Sequence, residues 1–315
     1  MNAAGRLTLY GAGLAVAFAG AFAAAGAVVP DGFVNDWKDK NQMSADHGGG
    51  HDAMTSSNAA TSLRGLSLAA DGMVLSPVSA PDRAGAAGTL SYRILDADGR
   101  PVVRFARSHE KDMHLVVVRS DGSRFEHVHP TLDTATGTWS IPWTWGAGGT
   151  YRVFADFVPA TAEAPSITLT RTIDVAGALN PEPATSVSRT TRVDGFDVSI
   201  EGDLVAGRMA ELDITVEREG RPVTGLQPYL GAFGHLVALR EGDLGFLHVH
   251  AEGDEPRAGD TAGPTISFMA QAPTAGRYLL YLDFQVDGQV RTAPFVLDAA
   301  DATGPEDEPA HGDSH

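Results

Sequence analysis

The feature that most constrains the fold is an internal repeat. The sequence Gly-Arg-Pro-Val at 99–102 recurs at 220–223, and eight of the sixteen positions from 114 to 129 are identical 121 residues later. Residues 151–157 are matched by 278–284, and the extra residues between the copies fall in the loop 251–263, where insertions are tolerated. The repeat includes three histidines of the first copy and their counterparts in the second: His114, His127 and His129, then His235, His248 and His250. This periodicity predicts the tandem duplication of one module.

The chain between the termini is typical of an all-β fold. Short alternating segments are separated by turn signals such as the Asp-Gly pairs at 71–72, 98–99 and 121–122, and no segment has a helical period. We therefore predict two tandem Ig-like antiparallel β-sandwich modules. They span 63–175 and 190–297, a Pro-containing linker spans 176–189, and an acidic disordered tail spans 298–315.

The N-terminus predicts export. Residues 7–29 carry no charged side chain and follow Arg6, as in a signal anchor or a signal peptide. The run is long enough to span a bilayer, which favours a single-pass anchor in the cell membrane with extracytoplasmic C-terminal modules. Cleavage near Ala27 would instead release a secreted protein. Residues 30–62 are interpreted as a flexible stalk rich in His, Met and Gly, with Met43, His47, His51 and Met54.

Composition narrows the chemistry. The net charge is −17, which argues against nucleic acid as a partner. The chain has no cysteine, so a metal ion could be held only by His, Asp, Glu or Met. Motifs for nucleotide binding, zinc proteolysis or serine hydrolysis are absent from the sequence, and we interpret the protein as a non-enzyme.

Strand geometry brings each histidine triplet together. Residues two apart lie on one face of a strand, so His127 and His129 point the same way. A two-residue turn at 121–122 places His114 opposite His129, and a turn at 242–243 places His235 opposite His250 with His248 beside them. The stripe continues with Val116, Val118 and Phe125, which predicts that it faces the core of the module. A loop of odd length would instead move His114 to the other face.

The triplets are candidate metal sites. Three partly buried imidazoles need partners, and one divalent ion would satisfy all three. Asp156 and Asp283 are candidates for a fourth ligand or for orienting a ring. The first copy alone adds His109, Glu110 and Met113, which makes it the better site. Mixed His and thioether ligands favour copper, with zinc as the alternative. The competing interpretation is a structural or protein-interaction module whose histidines bond to each other.

Several stretches carry a resemblance to a known group. They are the N-terminal apolar run, the stalk, and the sequences HEKDMHLVVV at 109–118, FEHVHP at 125–130, YRVFADF at 151–157 and YLGAFGHLVALR at 229–240. Together they resemble actinobacterial membrane-anchored extracytoplasmic proteins labelled heavy-metal-binding, with tandem Ig-like or cupredoxin-like modules. The resemblance implies metal buffering, delivery or resistance beside a heavy-metal transport system.

Overall fold

The structure is a computed structural model that describes residues 64–161, 164–247, 249–257 and 259–302. The predicted anchor at 1–29 and the predicted stalk lie outside the described residues, as does the tail from residue 303. The described residues form strands, turns and bends, and no helix capable of crossing a membrane occurs among them. The all-β prediction is confirmed.

The first module contains eleven strands in three sheets within the described chain. Their bounds are β1 Ala69–Ala70, β2 Met73–Leu75, β3 Ala87–Tyr92, β4 Ile94–Leu95, β5 Phe105–Ala106, β6 His114–Arg119, β7 Glu126–Val128, β8 Thr131–Asp133, β9 Thr138–Thr144, β10 Gly149–Pro159 and β11 Ile167–Val175. The main sheet has the order β11-β10-β6-β7, with β5 also paired to β10. The sheets β3-β9-β8 and β1-β2-β4 complete the module.

The second module contains the other eleven strands of the described chain. Their bounds are β12 Thr190–Val193, β13 Phe196–Glu201, β14 Leu204–Val205, β15 Met209–Arg218, β16 Arg221–Pro222, β17 Gly234–Arg240, β18 Phe246–Leu247, β19 Val249–Ala251, β20 Thr265–Gln271, β21 Gly276–Val286 and β22 Gln289–Ala300. One sheet has the order β12-β13-β15-β20-β19, and the other has the order β14-β22-β21-β17-β18. Strand β22 continues to Ala300, so the predicted disordered tail begins too early at 298.

Each module has a hydrophobic core of its own, built by period-2 alternation. In the first module Leu115 and Val117 of β6 and Val153 of β10 point into one buried cluster. In the second module Leu236 and Ala238 of β17 do the same. Alternate residues of each strand therefore fill the interior of the sandwich, and the intervening residues are left for the opposite face.

The opposite face of the central strands is covered by the other module. Val116 and Val118 of β6 form a third buried cluster with Val237, Leu239 and Tyr281 of the second module. This cluster is called the inter-module core below. The predicted surroundings of the histidine stripe were thus wrong, because the stripe faces the partner module and not its own sandwich. Strand β6 is buried on both faces, so apolar alternation could not distinguish the two sides.

The inter-module core has approximate twofold symmetry. The Phe125 ring stacks on Tyr281 with centroids 4.0 Å apart, and the repeat-related Phe246 contacts Phe154 at 5.7 Å. Gly122 of the first module also approaches the second closely, since a Cβ there would lie 2.3 Å from Leu279 Cδ1. Each module therefore presents the same face to the other, as in a twofold dimer fused into one chain.

The predicted register of the first histidine hairpin is confirmed, and that of the second is found only beside its turn. The predicted position of His235 opposite His250 is wrong, because the backbone of His250 pairs with Met269 of the other sheet. Strand β6 pairs Val116 with His127, and β17 pairs Leu239 with Phe246, which are the pairings that the two turns predict. The first turn forms one residue earlier than expected, because Gly122 N–H donates to the Arg119 carbonyl at 2.8 Å. Arg124, at φ +56°, takes up the extra residue as a bulge and restores the register.

The inter-module core should contribute strongly to stability. Leu239 is 0% exposed within it, and we expect Leu239→Ala to lower the free energy of unfolding by about 2–5 kcal/mol. Leu66, 40% exposed, supplies a matched control, and Leu66→Ala should change it by less than about 0.5 kcal/mol. Urea unfolding measures both. Equal effects would contradict the packing between the modules.

Candidate metal centre

The three histidines of the first copy converge. His114 begins β6, His127 lies in β7 beside it, and His129 follows two residues later on the same face. Their facing nitrogens are close: His114 Nδ1 lies 3.1 Å from His127 Nε2 and 3.2 Å from His129 Nε2. A search of the described residues for three or more His or carboxylate side chains close enough to share one ion finds these three histidines.

The outward nitrogens of two rings are held by hydrogen-bond acceptors. His114 Nε2 donates to the Ser108 carbonyl at 3.0 Å, and His127 Nδ1 lies 2.8 Å from Asp283 Oδ2. The other carboxylate oxygen of Asp283 accepts a hydrogen bond from Thr292 at 2.6 Å, so the carboxylate is held from both sides. Acceptors in these positions place the ring protons on the outside and direct the lone pairs of the inner nitrogens toward each other.

Burial keeps two of the three histidines neutral. The His114 side chain is 7% exposed, and burial, followed by the neighbouring His127, lowers its pKa to about 2. Burial also lowers the pKa of His129 to about 3, with His127 again the next cause. Two neutral imidazoles near pH 7 offer nitrogen lone pairs without first releasing a proton, which is the form that a metal ion binds.

The facing lone pairs leave the cluster incompletely bonded. If His114 Nε2 and His127 Nδ1 carry the ring protons, then neither nitrogen of the 3.1 Å pair has a hydrogen to donate. His129 can donate one proton to His114 Nδ1, which leaves His127 Nε2 without a donor from the triplet. A cation bound between the rings, or a hydrogen-bond donor from outside the triplet, would fill this position. Nitrogens bound tetrahedrally at 2.0–2.1 Å from one ion lie roughly 3.3 Å apart, which is close to the spacing observed.

The second module completes the surroundings of the site. Asp283 comes from β21 of that module, so the carboxylate that orients His127 crosses the interface. The Tyr229 ring lies 6.3 Å from His129 and 6.1 Å from His235. Sequence reasoning found Asp283 but did not assign it to the histidines of the other copy, and it missed Ser108 and Tyr229. One signal was available for Asp283: it lies two residues from Tyr281 and therefore on the same strand face, which packs against the first module.

Asp156, the counterpart of Asp283, is partly buried beside the cluster. It pairs with His114 across β10 and β6, and its Oδ1 accepts hydrogen bonds from Ser166 at 3.0 Å and Thr168 at 2.6 Å. Burial raises its pKa despite these hydrogen bonds. Asp156 also lines a cavity with His114 and His127. The structure therefore places it near the triplet, with two hydroxyl groups as its bonded partners.

The three additional candidates of the first copy lie in different surroundings. Met113 is 1% exposed and packs in the core of the first module, so its thioether points away from the triplet. Glu110 is exposed and lies near Gly231 of the second module. The His109 ring lies 6.1 Å from His114 and 5.1 Å from His235, measured between centroids. Of the three, His109 belongs to the histidine cluster.

The triplet of the second copy is divided between sheets. His235 Nε2 donates to the Leu230 carbonyl at 3.0 Å, and the ring faces His109 and His127 of the first module. His248 lies outside the described residues. The backbone of His250 belongs to β19, which pairs with Met269 of the opposite sheet and not with β17. A site formed by all three remains a prediction.

Comparison with known proteins identifies the modules as copies of one domain. The family described as "Domain of unknown function (DUF8832)" matches residues 69–176 and again 191–301. No curated protein matches the chain.

The solved structures that match the chain are distant from it. A DUF4426 family protein from Pseudomonas aeruginosa PAO1 has a TM-score of 0.26 at 9% identity, covering 35% of this chain and 96% of its own. Salmonella alpha-2-macroglobulin reacted with methylamine has a TM-score of 0.25 at 14% identity, covering 76% of this chain, which spans 15% of that longer one. The D00-D0 domain of Intimin has a TM-score of 0.21 at 10% identity, covering 71% and 98%. These TM-scores are too low to transfer a function.

The His127–Asp283 contact should stabilise the protein without metal. In Asp283→Asn the charged acceptor is lost from a site where both side chains are at most 4% exposed, so we expect a loss of about 1–3 kcal/mol in the free energy of unfolding. Asp287→Asn on the same hairpin removes an exposed carboxylate and should cost less than about 0.5 kcal/mol. Urea unfolding in a chelating buffer compares them. Indistinguishable losses would show that the contact contributes nothing.

Proposed function

The chain belongs to the DUF8832 family through both of its modules, and we propose that this member binds a copper or zinc ion with His114, His127 and His129. One observation carries the proposal. Two inner ring nitrogens face each other at 3.1 Å while the outer nitrogens of the same two rings are bonded to a carbonyl and a carboxylate. Metal-binding histidines are typically oriented in this way by a carbonyl or carboxylate on the other nitrogen.

The donor set favours late first-row transition ions. All three converging atoms are imidazole nitrogens, which suit copper, zinc, nickel and iron. Because Met113 packs in the core, the site provides no thioether from that residue, and the preference for copper rests on the general order of divalent affinities. We propose copper(II) as the preferred ion and zinc(II) as the alternative, with one coordination position left for water or a donor from a partner.

The proposed role is non-enzymatic binding outside the cell membrane. The apolar run at 7–29 would anchor the protein there. A metal ion held by three neutral ligands can be exchanged with a partner that offers more donors. We therefore propose buffering or delivery of copper, as part of metal resistance, beside a heavy-metal transport system.

The competing function is structural. His127 and Asp283 already join the two modules, and a hydrogen-bond donor from outside the triplet would complete its bonding without metal. In that case the histidines would serve as a polar joint between two sandwiches. The two functions differ in the effect expected from substituting the histidines. If their role is structural, the stability of the metal-free protein changes. If they bind metal, the affinity for the metal changes.

Calorimetric titration of the chain with copper(II) and zinc(II) tests the proposal. We expect binding with a Kd below about 1 μM, equivalent to roughly −8 kcal/mol. The double variant His127→Ala/His129→Ala should lose more than about a hundredfold in affinity, beyond the loss typical of an orienting partner. It keeps the stalk histidines, so any weak binding by them remains visible.

The repeat supplies the matched control. His248→Ala/His250→Ala makes the same two substitutions in the second copy and should leave the site of the first copy intact. Weaker than micromolar binding by the unsubstituted chain, or equal affinity in the first double variant, would contradict the proposal. An unchanged affinity with a lowered melting temperature in metal-free buffer would favour the structural function.

A further inference from the structure

A second pair of histidines lies between the modules, one from each. His109 precedes β6, and His235 lies near the start of β17. Their ring centroids are 5.1 Å apart, with the planes at 82°. His109 is exposed to solvent, whereas His235 is partly buried. The pair thus extends from the surface into the interface.

One cavity links this pair to the triplet. It has a volume of about 260 Å³, and its walls include His109 and His235 as well as His114 and His127. The ring centroid of His109 lies 6.1 Å from that of His114, and the centroid of His235 lies 6.5 Å from that of His127. The imidazole rings of this cavity therefore extend from the exposed His109 to the buried triplet.

The chemical state of His235 suits a transient ligand. Its Nε2 donates to the Leu230 carbonyl, so Nδ1 carries the lone pair. The ring lies against both His109 and His127, with centroid distances of 5.1 and 6.5 Å. A neutral imidazole can replace a water molecule on an incoming ion.

The backbone holds His109 in a costly conformation. His109 and Glu110 have φ values of +48° and +62°, consecutive left-handed residues that are rare without glycine. Such residues cost about 1–3 kcal/mol each and are concentrated at functional sites. The equivalent positions of the second copy have the same backbone but carry Leu230 and Gly231, so only the first copy places an imidazole there.

We propose that His109 and His235 form a capture site through which the metal ion reaches the triplet. This inference rests on the proposed function. The ion binds the exposed His109 first, keeps its remaining waters, and exchanges them in turn for His235 and the nitrogens of the triplet. It never crosses the apolar interface without ligands, which would be costly for a bare cation. No bond other than the metal–ligand bonds forms or breaks.

Stopped-flow measurement of copper(II) and zinc(II) binding to the chain tests the capture site. The variant is His109→Asn, because asparagine tolerates the left-handed backbone and lacks the imidazole. Glu110→Gln, in the same loop and also left-handed, is the matched control. An intermediate on the route lowers the barrier in both directions, so its removal slows association and dissociation by the same factor and leaves Kd unchanged. We expect roughly a tenfold decrease in both, at the lower end of the range for mutants of one site.

Coupling within the pair gives a second measurement. His235→Asn should slow binding to the same extent, and the double variant should be no slower than either single one, because both act on one step. Unchanged rates in His109→Asn would overturn the capture site, as would a weaker Kd with an unchanged association rate, which would make His109 an equilibrium ligand. If the unsubstituted chain binds no metal, the proposed function fails with it, and this is seen before any variant is compared.

Discussion

The contact between His127 and Asp283 is the interaction on which the rest of this structure depends. It joins a ring of the first module to a carboxylate of the second, with both side chains at most 4% exposed. Thr292 holds the carboxylate, and the carboxylate fixes the orientation of the ring. A buried carboxylate without a partner is costly, so this contact links the alignment of the two modules to the geometry of the histidine triplet. The packing of Phe125 on Tyr281 and the inter-module core hold the two faces together around it.

Duplication explains why the site lies where it does. Two copies of one sandwich pack through the same face, so strands β6 and β17, which carry equivalent histidines, meet at the interface. The two copies differ in what they place there. The triplet of the first copy converges, and the position of His109 is occupied by Leu230 in the second copy. In the second copy β19 pairs with the other sheet. Asp283 and His235 of that copy lie against the histidines of the first module.

The sequence was sufficient to predict the register of the first histidine hairpin but not what the histidine stripe packs against, and both outcomes have physical reasons. Period-2 alternation and the position of the turns predicted the hairpin register, and a bulge at Arg124 preserved it although the turn shifted. Alternation could not reveal that the histidine stripe faces a second module, because β6 is apolar on both faces. The alternation of residues along β6 did contain one signal that the sequence analysis did not use. Met113 shares a face with Leu115 and Val117, which places it in the core and excludes it from the triplet.

Crystals of the chain grown with copper or zinc, with anomalous diffraction recorded at the absorption edge of the metal, would show whether the triplet holds an ion. We expect one anomalous peak at about 2.0–2.1 Å from His114 Nδ1, His127 Nε2 and His129 Nε2. The same map should show Asp283 still bonded to the outer nitrogen of His127. A fully ordered triplet without a peak, with its three rings at their present spacing, would contradict metal binding by the triplet and leave the histidines as a polar joint between the modules.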